Sequence, residues 1–170
     1  MNLNLKREIL KGKIFIYPTD TIYGIGCNAL DRKAVEKIRK IKQRDMKPFS
    51  VIAPSFDWIK KHCVVDVKLE KYLPGRYTII LKKKAKNFLK WVSPQETLGV
   101  RIPNNEFTKE VQKTKVPFVT TSVNFSGEKP ANEIEQVPKE ILNNVDYIIN
   151  QGKLSGKPST LIIGGKEIKR

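Results

Sequence analysis

Two cations stand two residues apart at Lys42 and Arg44, and a third, Lys47, follows them. An ammonium and a guanidinium group at this spacing can contact different oxygens of one triphosphate. Cations are also common at the C-terminal ends of helices, where they stabilise the helix without binding a ligand. The pattern therefore fits a phosphate site, but by itself it fits an ordinary helix end as well.

Three further polar clusters are candidates for ligand contacts. Residues 17–24 (YPTDTIYG) carry several hydroxyls, and residues 120–127 (TTSVNFSG) combine small hydroxyl side chains with an amide. Arg101, between apolar neighbours in residues 99–103 (GVRIP), would suit a carboxylate if its side chain faces a cleft. The two hydroxyl clusters are also compatible with hydrogen-bonded turns. We expect all of these clusters at strand or helix ends, where α/β proteins place ligands.

The clusters contain no convincing protein nucleophile. The one histidine, His62, lies in a charged stretch, and no Ser-His-Asp or Cys-His arrangement is recognisable. Cys27 and Cys63 do not have metal-ligand spacing, so we expect two buried or half-buried thiols and no metal site built from protein ligands. This combination favours a reaction between bound substrates, in which the protein supplies position and electrostatics.

Composition limits the class of protein. A chain of 170 residues suits one domain, over residues 1–170. The 33 Lys and Arg residues outweigh the 17 Asp and Glu residues and give a net charge of +16, which attracts polyanions such as RNA or nucleotides. A lysine-rich solvated surface would explain the charge equally well. No apolar run approaches the roughly 20 residues of a membrane span, and no signal peptide is recognisable, so we expect a cytoplasmic protein without a membrane partner.

Hydrophobic periodicity predicts alternating strands and helices, with some strands adjacent in sequence, and therefore a mixed sheet. Strands are predicted over residues 13–17, 49–53, 76–83, 98–102, 117–122, 147–150 and 160–163. Helices are predicted over residues 2–11 (with Leu3 inward), 31–43, 55–73 (interrupted near 64–66), 105–113 and 137–143. Residues 18–26 read as a loop, because they are polar and contain two glycines.

In this order, the clusters resemble the threonylcarbamoyl-AMP synthases, the YrdC-like (TsaC) family. The matching pieces are IYPTDTIYGIGCNA at 16–29, K-x-R at 42–44 with KP after it, PG at 74–75, VRIP at 100–103, S-x-N at 122–124, SG at 126–127 and PST at 158–160. The resemblance runs from Ile14 to Thr160 or to the end of the chain. Asp45 departs from the pattern, which often has proline there, and Arg76 replaces the second proline of the usual PGP.

The resemblance implies an α/β fold in a single domain, with an open, twisted mixed sheet flanked by helices and a large basic cleft. It implies a nucleotidyltransferase that joins L-threonine, bicarbonate or CO2, and ATP into L-threonylcarbamoyladenylate, releasing pyrophosphate. Mg2+ would accompany the ATP. A downstream threonylcarbamoyl transferase complex would use the product to form N6-threonylcarbamoyladenosine at position 37 of tRNA.

The resemblance also assigns roles to residues. The residues implied in catalysis are Lys42, Arg44, Ser122 and Asn124, which would hold the ATP phosphates. The remaining nucleotide contacts implied are Lys47, Pro130 and Arg170. The residues implied to bind threonine are Thr21, Arg101 (on the carboxylate), Thr120 and Ser159. Asp45 is placed where it can pair with Arg44 and weaken its hold on phosphate.

Three other functions remain open from the sequence. The first is a non-catalytic module of the same fold that binds double-stranded RNA or tRNA, suggested by the net charge of +16. The second is a related branch of the family with a different substrate, against which the intact K-x-R and S-x-N motifs argue. The third is a carbamoyl-transferring domain of a larger maturation protein.

Overall fold

A mixed ten-stranded sheet organises the protein in the computed structural model, which describes residues 4–170. The strands are β1 (Phe15–Pro18), β2 (Tyr23–Gly26), β3 (Ser50–Ile52), β4 (Cys63–Val64), β5 (Tyr77–Lys83), β6 (Thr97–Arg101), β7 (Phe118–Ser122), β8 (Tyr147–Ile148), β9 (Thr160–Ile163) and β10 (Lys166–Ile168). Their spatial order is β10-β9-β5-β6-β3-β7-β2-β1-β8, and β4 pairs with β5 outside this path. Three pairs are parallel (β1 with β8, β3 with β6, β5 with β9) and the others are antiparallel, so the predicted mixed sheet is confirmed.

Within residues 4–170, five helices flank the sheet. They are α1 (Leu5–Leu10), α2 (Arg32–Ile41), α3 (Phe56–His62), α4 (Glu106–Thr114) and α5 (Lys139–Leu142), and single helical turns lie at Leu69–Lys71 and Ile134–Gln136. Helix α2 begins as the sequence predicts, because the Asp31 carboxylate accepts a hydrogen bond from the Ala34 amide at 3.0 Å. Of the helix predicted over residues 2–11, Leu3 lies outside the described residues.

Each face of the sheet has its own core because side chains alternate along β1. Phe15 and Tyr17 pack with Phe107 and Val111 of α4 on one face. Ile14 and Ile16 belong to the larger core on the other face, which includes residues from α2 and α3. Burial on both faces gives β1 a continuous apolar sequence, and this explains why its position was predictable from hydrophobicity.

The loop predicted over residues 18–26 is wrong, because β2 lies inside it and pairs with both β1 and β7. Two glycines lower the apparent strand propensity of this segment. One of them is required by packing: a Cβ at Gly26 would lie 1.9 Å from the Val119 carbonyl oxygen. A glycine inside a strand often marks such a close approach of two backbones.

The helix predicted over residues 55–73 is also shorter than expected. Helix α3 ends at His62, β4 follows at once, and only a single helical turn remains at Leu69–Lys71. The predicted interruption near residues 64–66 is therefore a strand that adds to β5 rather than a break between two helices. Strand β10 was not predicted; it pairs with β9 through a tight turn at Gly164 and Gly165, both at positive φ.

Two further expectations can be compared with the structure. Cys27 and Cys63 are both buried free thiols, as predicted. Among the described residues, no helix is long and apolar enough to cross a membrane.

Candidate functional site

One cavity of about 300 Å³ gathers most of the predicted site residues. Eight of the eleven contribute to its lining: Arg44, Arg101, Thr120, Ser122, Asn124, Pro130, Ser159 and Arg170. They come from the segment after α2, the ends of β6 and β7, the loop after β7, the approach to β9 and the C-terminal residue. Lys42, Lys47 and Thr21 do not contribute to the lining, and their placement corrects what was expected of them.

Lys42 lies beneath the cavity rather than in it. Its side chain is fully buried, and its ammonium donates to the Ser122 carbonyl oxygen, to the Asn124 carbonyl oxygen at 2.8 Å and to Asn124 Oδ1 at 2.9 Å. Three acceptors use all three N–H groups of an ammonium. In this arrangement Lys42 has no donor left for a phosphate, so we assign it a positioning role in place of the predicted contact.

The turn that Lys42 supports presents Ser122 and Asn124. Ser122 Oγ donates to Asn124 Oδ1 at 2.7 Å, and Asn124 Nδ2 donates to the Glu128 carbonyl oxygen at 2.6 Å. The Ser126 amide in turn donates to the Lys42 carbonyl oxygen at 3.1 Å. The end of α2 and the loop after β7 are therefore joined through both main chain and side chain.

Arg44 faces the cavity with part of its guanidinium unused. Nη2 donates to the Pro48 carbonyl oxygen at 2.7 Å, whereas Nε is buried without a hydrogen-bond partner among residues 4–170. Burial lowers the pKa of Arg44, and the nearby charge of Arg39 lowers it further. An arginine remains charged despite such a shift, so Arg44 offers an incompletely paired cation to an anionic ligand.

Asp45 does not form the ion pair with Arg44 that the sequence suggested. Its side chain takes no part in an ion pair described for residues 4–170. Its carbonyl oxygen accepts a hydrogen bond from Arg39 at 2.7 Å. Lys47, predicted to border the nucleotide, is exposed and lies outside the cavity lining.

Arg101 already has a carboxylate partner within the protein. It is 7% exposed, and its Nη2 lies 2.8 Å from Asp20 Oδ1 in an ion pair buried on both sides. Asp20 Oδ2 accepts from the Asn104 amide at 2.9 Å, which anchors the carboxylate to the segment before α4. Arg101 Nε is buried and has no partner among the described residues. Asp20 thus orients Arg101 and leaves donors of its guanidinium for a second carboxylate.

Asp20 was not singled out from the sequence, although it stands inside the hydroxyl cluster at residues 17–24. Thr21, which was predicted to touch threonine, lies behind the cavity wall. Its hydroxyl is 2.8 Å from that of Thr19 and 3.5 Å from Arg101 Nη2. A Cβ at Gly156 would lie 2.0 Å from the Thr21 carbonyl oxygen, so the segment before β9 covers Thr21 closely.

The remaining predicted hydroxyls are held by partners within the protein. Tyr17 donates its phenolic hydrogen to Thr120 Oγ1 at 2.7 Å. Ser159 Oγ lies 2.7 Å from Thr78 Oγ1 and accepts from Arg170 Nη2 at 2.7 Å. Arg170 also donates through Nε to the Ser159 carbonyl oxygen at 3.0 Å, so the late arginine does reach the cavity.

Three arginines create a positive field in the cavity. Burial lowers the pKa of Arg170, and the charges of Arg101 and Arg44 lower it further. Among the described residues that line the cavity, Glu128 supplies the one carboxylate, and Asp20 neutralises Arg101 from behind. The balance favours an anionic ligand. The larger basic cleft that the sequence resemblance implies stays a prediction.

Few protein groups here could hold a metal ion. Within residues 4–170, no three His, Cys, Asp or Glu side chains come together as a metal site. A magnesium ion carried by a nucleotide keeps most of its contacts to phosphate and water and needs only one or two carboxylates. Glu128 is the cavity carboxylate that fits such an ion.

The burial of Lys42 predicts a pH-dependent contribution to stability. Desolvation, and next the charge of Arg44, lower its pKa to about 7 from the ordinary 10.5. Unfolding at pH 8–9 therefore takes up a proton, so raising the pH through this range stabilises the folded state. In urea titrations we expect Lys42→Met to be less stable by about 2–3 kcal/mol, because buried carbonyls lose their donor.

The stability difference between the wild type and Lys42→Met should then grow from pH 7 to pH 9. A difference that shrinks over this range would mean that the folded protein holds Lys42 charged, and that its three carbonyl acceptors outweigh burial. Lys40→Met, at an exposed position of the same helix, is the matched control and should change neither the stability nor its pH dependence.

Comparison with known proteins identifies relatives of this chain. A family model named for Sua5, YciO and YrdC, described as "Telomere recombination", matches residues 7–168. A "Putative threonylcarbamoyl-AMP synthase" of Methanocaldococcus jannaschii is 42% identical over 164 residues, covering 93% of this chain and 77% of that protein. The "Threonylcarbamoyl-AMP synthase" of Marinobacter nauticus is 31% identical over 173 residues, covering 95% and 90%.

A solved structure extends the match to the fold. The P. abyssi Sua5 complexed with L-threonine superposes with a TM-score of 0.82 at 26% identity, covering 93% of this chain and 49% of that one. The present chain thus spans about half of that Sua5 chain but most of the two curated relatives. The match over residues 7–168 and the identity to both relatives show that this chain belongs to the Sua5/YciO/YrdC family.

Proposed function

We propose that the protein is an L-threonylcarbamoyladenylate synthase that uses L-threonine, bicarbonate or CO2, and ATP. The observation that carries the proposal is the shared cavity, which joins a phosphate-like subsite (Arg44, Ser122, Asn124) to a carboxylate-like subsite (Arg101, Ser159). The names of the curated relatives support an enzyme that forms an adenylate. The threonine complex of the related Sua5 supports threonine as the amino acid.

The proposed reaction needs no protein nucleophile. The threonine amine attacks CO2, a C–N bond forms, and the amine loses a proton to give a carbamate. A carbamate oxygen then attacks the α-phosphorus of ATP; a P–O bond forms there, the bond to the bridging oxygen breaks, and pyrophosphate leaves. The protein contributes by orienting both substrates and by stabilising charge on the phosphates.

Each cavity group has a role in this scheme. Arg44 faces the phosphates together with the turn of Ser122 and Asn124, in which Asn124 Nδ2 has a second hydrogen to donate, and Lys42 supports this turn from below. Arg101, oriented by Asp20, holds the threonine carboxylate, while Thr120 and Ser159 complete that pocket. Mg2+ would neutralise phosphate charge, with Glu128 as its protein partner. The product would pass to a separate transferase complex that modifies position 37 of tRNA.

The first test measures pyrophosphate release with ATP, bicarbonate and each amino acid in turn. We expect release to depend on threonine and to fall by about 10²–10³-fold in Arg44→Ala, because a cation on the developing charge is lost. Lys47→Ala is the matched control: this cation lies three residues away but is exposed and outside the cavity, and it should react like the wild type. Equal rates in all three proteins would exclude the proposed phosphate site.

The carboxylate subsite is tested through Arg101. We expect Arg101→Ala to raise the KM for threonine by about 10–100-fold, since a charge-assisted contact is worth about 1.5–3 kcal/mol. The KM for ATP should change much less. Because the substitution leaves Asp20 buried and unpaired, thermal unfolding must accompany the kinetics. A folded variant with an unchanged threonine KM would remove Arg101 from the pocket.

RNA binding is a second candidate function, favoured by one surface. We call it the lysine-ring surface; it consists of residues 58–64 and 82–90, which pair through β4 and β5. These two segments contain seven lysines and no acidic residue, and six of the lysines are exposed. The His62 ring stacks on Phe88 with centroids 4.3 Å apart, and Trp58 packs beside it. Cations around half-buried rings suit a phosphate backbone with unpaired bases.

This second candidate predicts salt-dependent binding of an unmodified tRNA transcript, measured by fluorescence anisotropy. Lys61→Glu with Lys90→Glu should reduce the slope of log K against log salt by about 2, one unit for each lost phosphate contact. Lys33→Glu with Lys37→Glu, on the exposed side of α2, makes the same charge change elsewhere. Equal losses in both double variants would indicate diffuse attraction and exclude the lysine-ring surface as a site.

A further inference from the structure

The segment that carries Arg44 has little regular structure of its own. Residues 42–49 connect α2 to β3 and form neither helix nor strand, and Gln43 adopts a positive φ of 50°. Arg44 is bonded to its own segment at Pro48 and contributes no side-chain ion pair among residues 4–170. Something outside the segment must therefore fix where the guanidinium of Arg44 lies.

Arg39 supplies that restraint from the last turn of α2. Its Nη1 donates to the carbonyl oxygens of Asp45 at 2.7 Å and Lys47 at 2.8 Å. Its Nη2 donates to the carbonyl oxygens of Trp91 and Val92, both at 2.9 Å. One guanidinium thus joins the Arg44 segment to a second loop, which is itself packed against the core through Val92.

A shared aromatic ring completes the arrangement. The Arg39 guanidinium carbon lies 4.3 Å from the centroid of the Phe49 ring, and that of Arg44 lies 5.1 Å from the same centroid. Phe49 is buried, and its amide donates to the Val92 carbonyl oxygen at 2.9 Å. Contact with one ring offsets part of the repulsion between two neighbouring cations. It also sets the position of Arg44 relative to a residue that lines the cavity.

We infer that Arg39 is the positioning residue of the anion subsite: it fixes the path of residues 45–47 and thereby the reach of Arg44 into the cavity. The role requires a planar fork, because four carbonyl oxygens on two loops must be satisfied by two nitrogens held in one plane. A lysine would keep the charge but has three donors on one atom, and it could not join both loops in this way. Arg39 itself does not line the cavity, so it acts through Arg44.

This inference deepens the proposed function and rests on it for the identity of the bound anion as an ATP phosphate. Two readouts distinguish the inference about Arg39 from the proposed function. Amide hydrogen exchange of Arg44 and Phe49, whose amides are hydrogen-bonded at the two ends of the segment, reports the restraint whether or not the protein is an enzyme. The KM for ATP, compared with that for threonine, reports the consequence for the subsite.

The test compares Arg39→Met and Arg39→Lys with Arg32→Met. Arg32 lies on the same helix but is exposed and pairs with Glu36 at 2.7 Å, so its variant is the matched control. In both Arg39 variants we expect faster exchange of the Arg44 and Phe49 amides, with the amides of β7 and α4 unchanged. We expect kcat/KM for ATP to fall by about 10²-fold, with the threonine KM near the wild-type value.

Three outcomes would overturn the inference. Unchanged exchange in Arg39→Met would show that the segment is fixed without Arg39. Faster exchange throughout the protein, with ATP and threonine affected alike, would show a general loss of stability. If Arg39→Lys showed the exchange and kinetics of the wild type, a positive charge at this position would be sufficient and the planar guanidinium would not be required. If the wild type releases no pyrophosphate, the proposed function fails, and the exchange measurement still decides the role of Arg39.

Discussion

The buried ammonium of Lys42 is the interaction on which the candidate site depends. It ties the last residues of α2 to the turn after β7 through three carbonyl oxygens of only two residues, Ser122 and Asn124. A buried charge is costly unless every donor is used; the charged form of Lys42, which its lowered pKa of about 7 limits to neutral and acidic pH, uses every donor. Because the turn cannot move without breaking these bonds, the Ser122 hydroxyl and the Asn124 amide are held in place before any ligand arrives.

A second buried charge, Arg101, also has its partner within the protein, at the other end of the cavity. Its partner Asp20 is bonded to the backbone before α4, so the ion pair links two loops rather than two flexible side chains. The site therefore contains two basic groups held by partners within the protein, Lys42 by three carbonyl oxygens and Arg101 by a carboxylate, and two that are less completely paired, Arg44 and Arg170. The first two groups fix the geometry of the site, whereas Arg44 and Arg170 supply most of the electrostatic field that acts on a ligand.

The sequence predicted the elements that have strong periodicity. Helix α2 and strands β1, β5, β6 and β7 lie within two residues of their predicted ends, because apolar residues recur along them at the period of the observed structure. Strand β2 was missed because its glycines, needed for close packing against Val119, carry no hydrophobic signal. The short strand β4 was missed because its pairing with β5 is a tertiary contact that local propensity does not encode.

The candidate site was predictable to a different degree. Residue type indicated which side chains would gather, and eight of the eleven do line one cavity. Residue type could not indicate which way each side chain points. Lys42 and Arg44 have similar charge and nearly adjacent positions, yet one lies beneath the turn and the other faces the cavity. Asp20 and Arg39 were missed for the same reason, since their partners are carbonyl oxygens and distant side chains that only the fold brings near.

The bond between Tyr17 and Thr120 sets the polarity of the cavity wall. Burial raises the pKa of Tyr17, so its hydroxyl keeps its hydrogen and donates it to Thr120 Oγ1. A hydroxyl that accepts from tyrosine still has its own hydrogen to place. The Thr120 hydroxyl can therefore meet a ligand as a donor, which matches an oxygen anion. In this way Tyr17, which does not line the cavity, frees a hydrogen of the cavity wall beside β7 for a ligand.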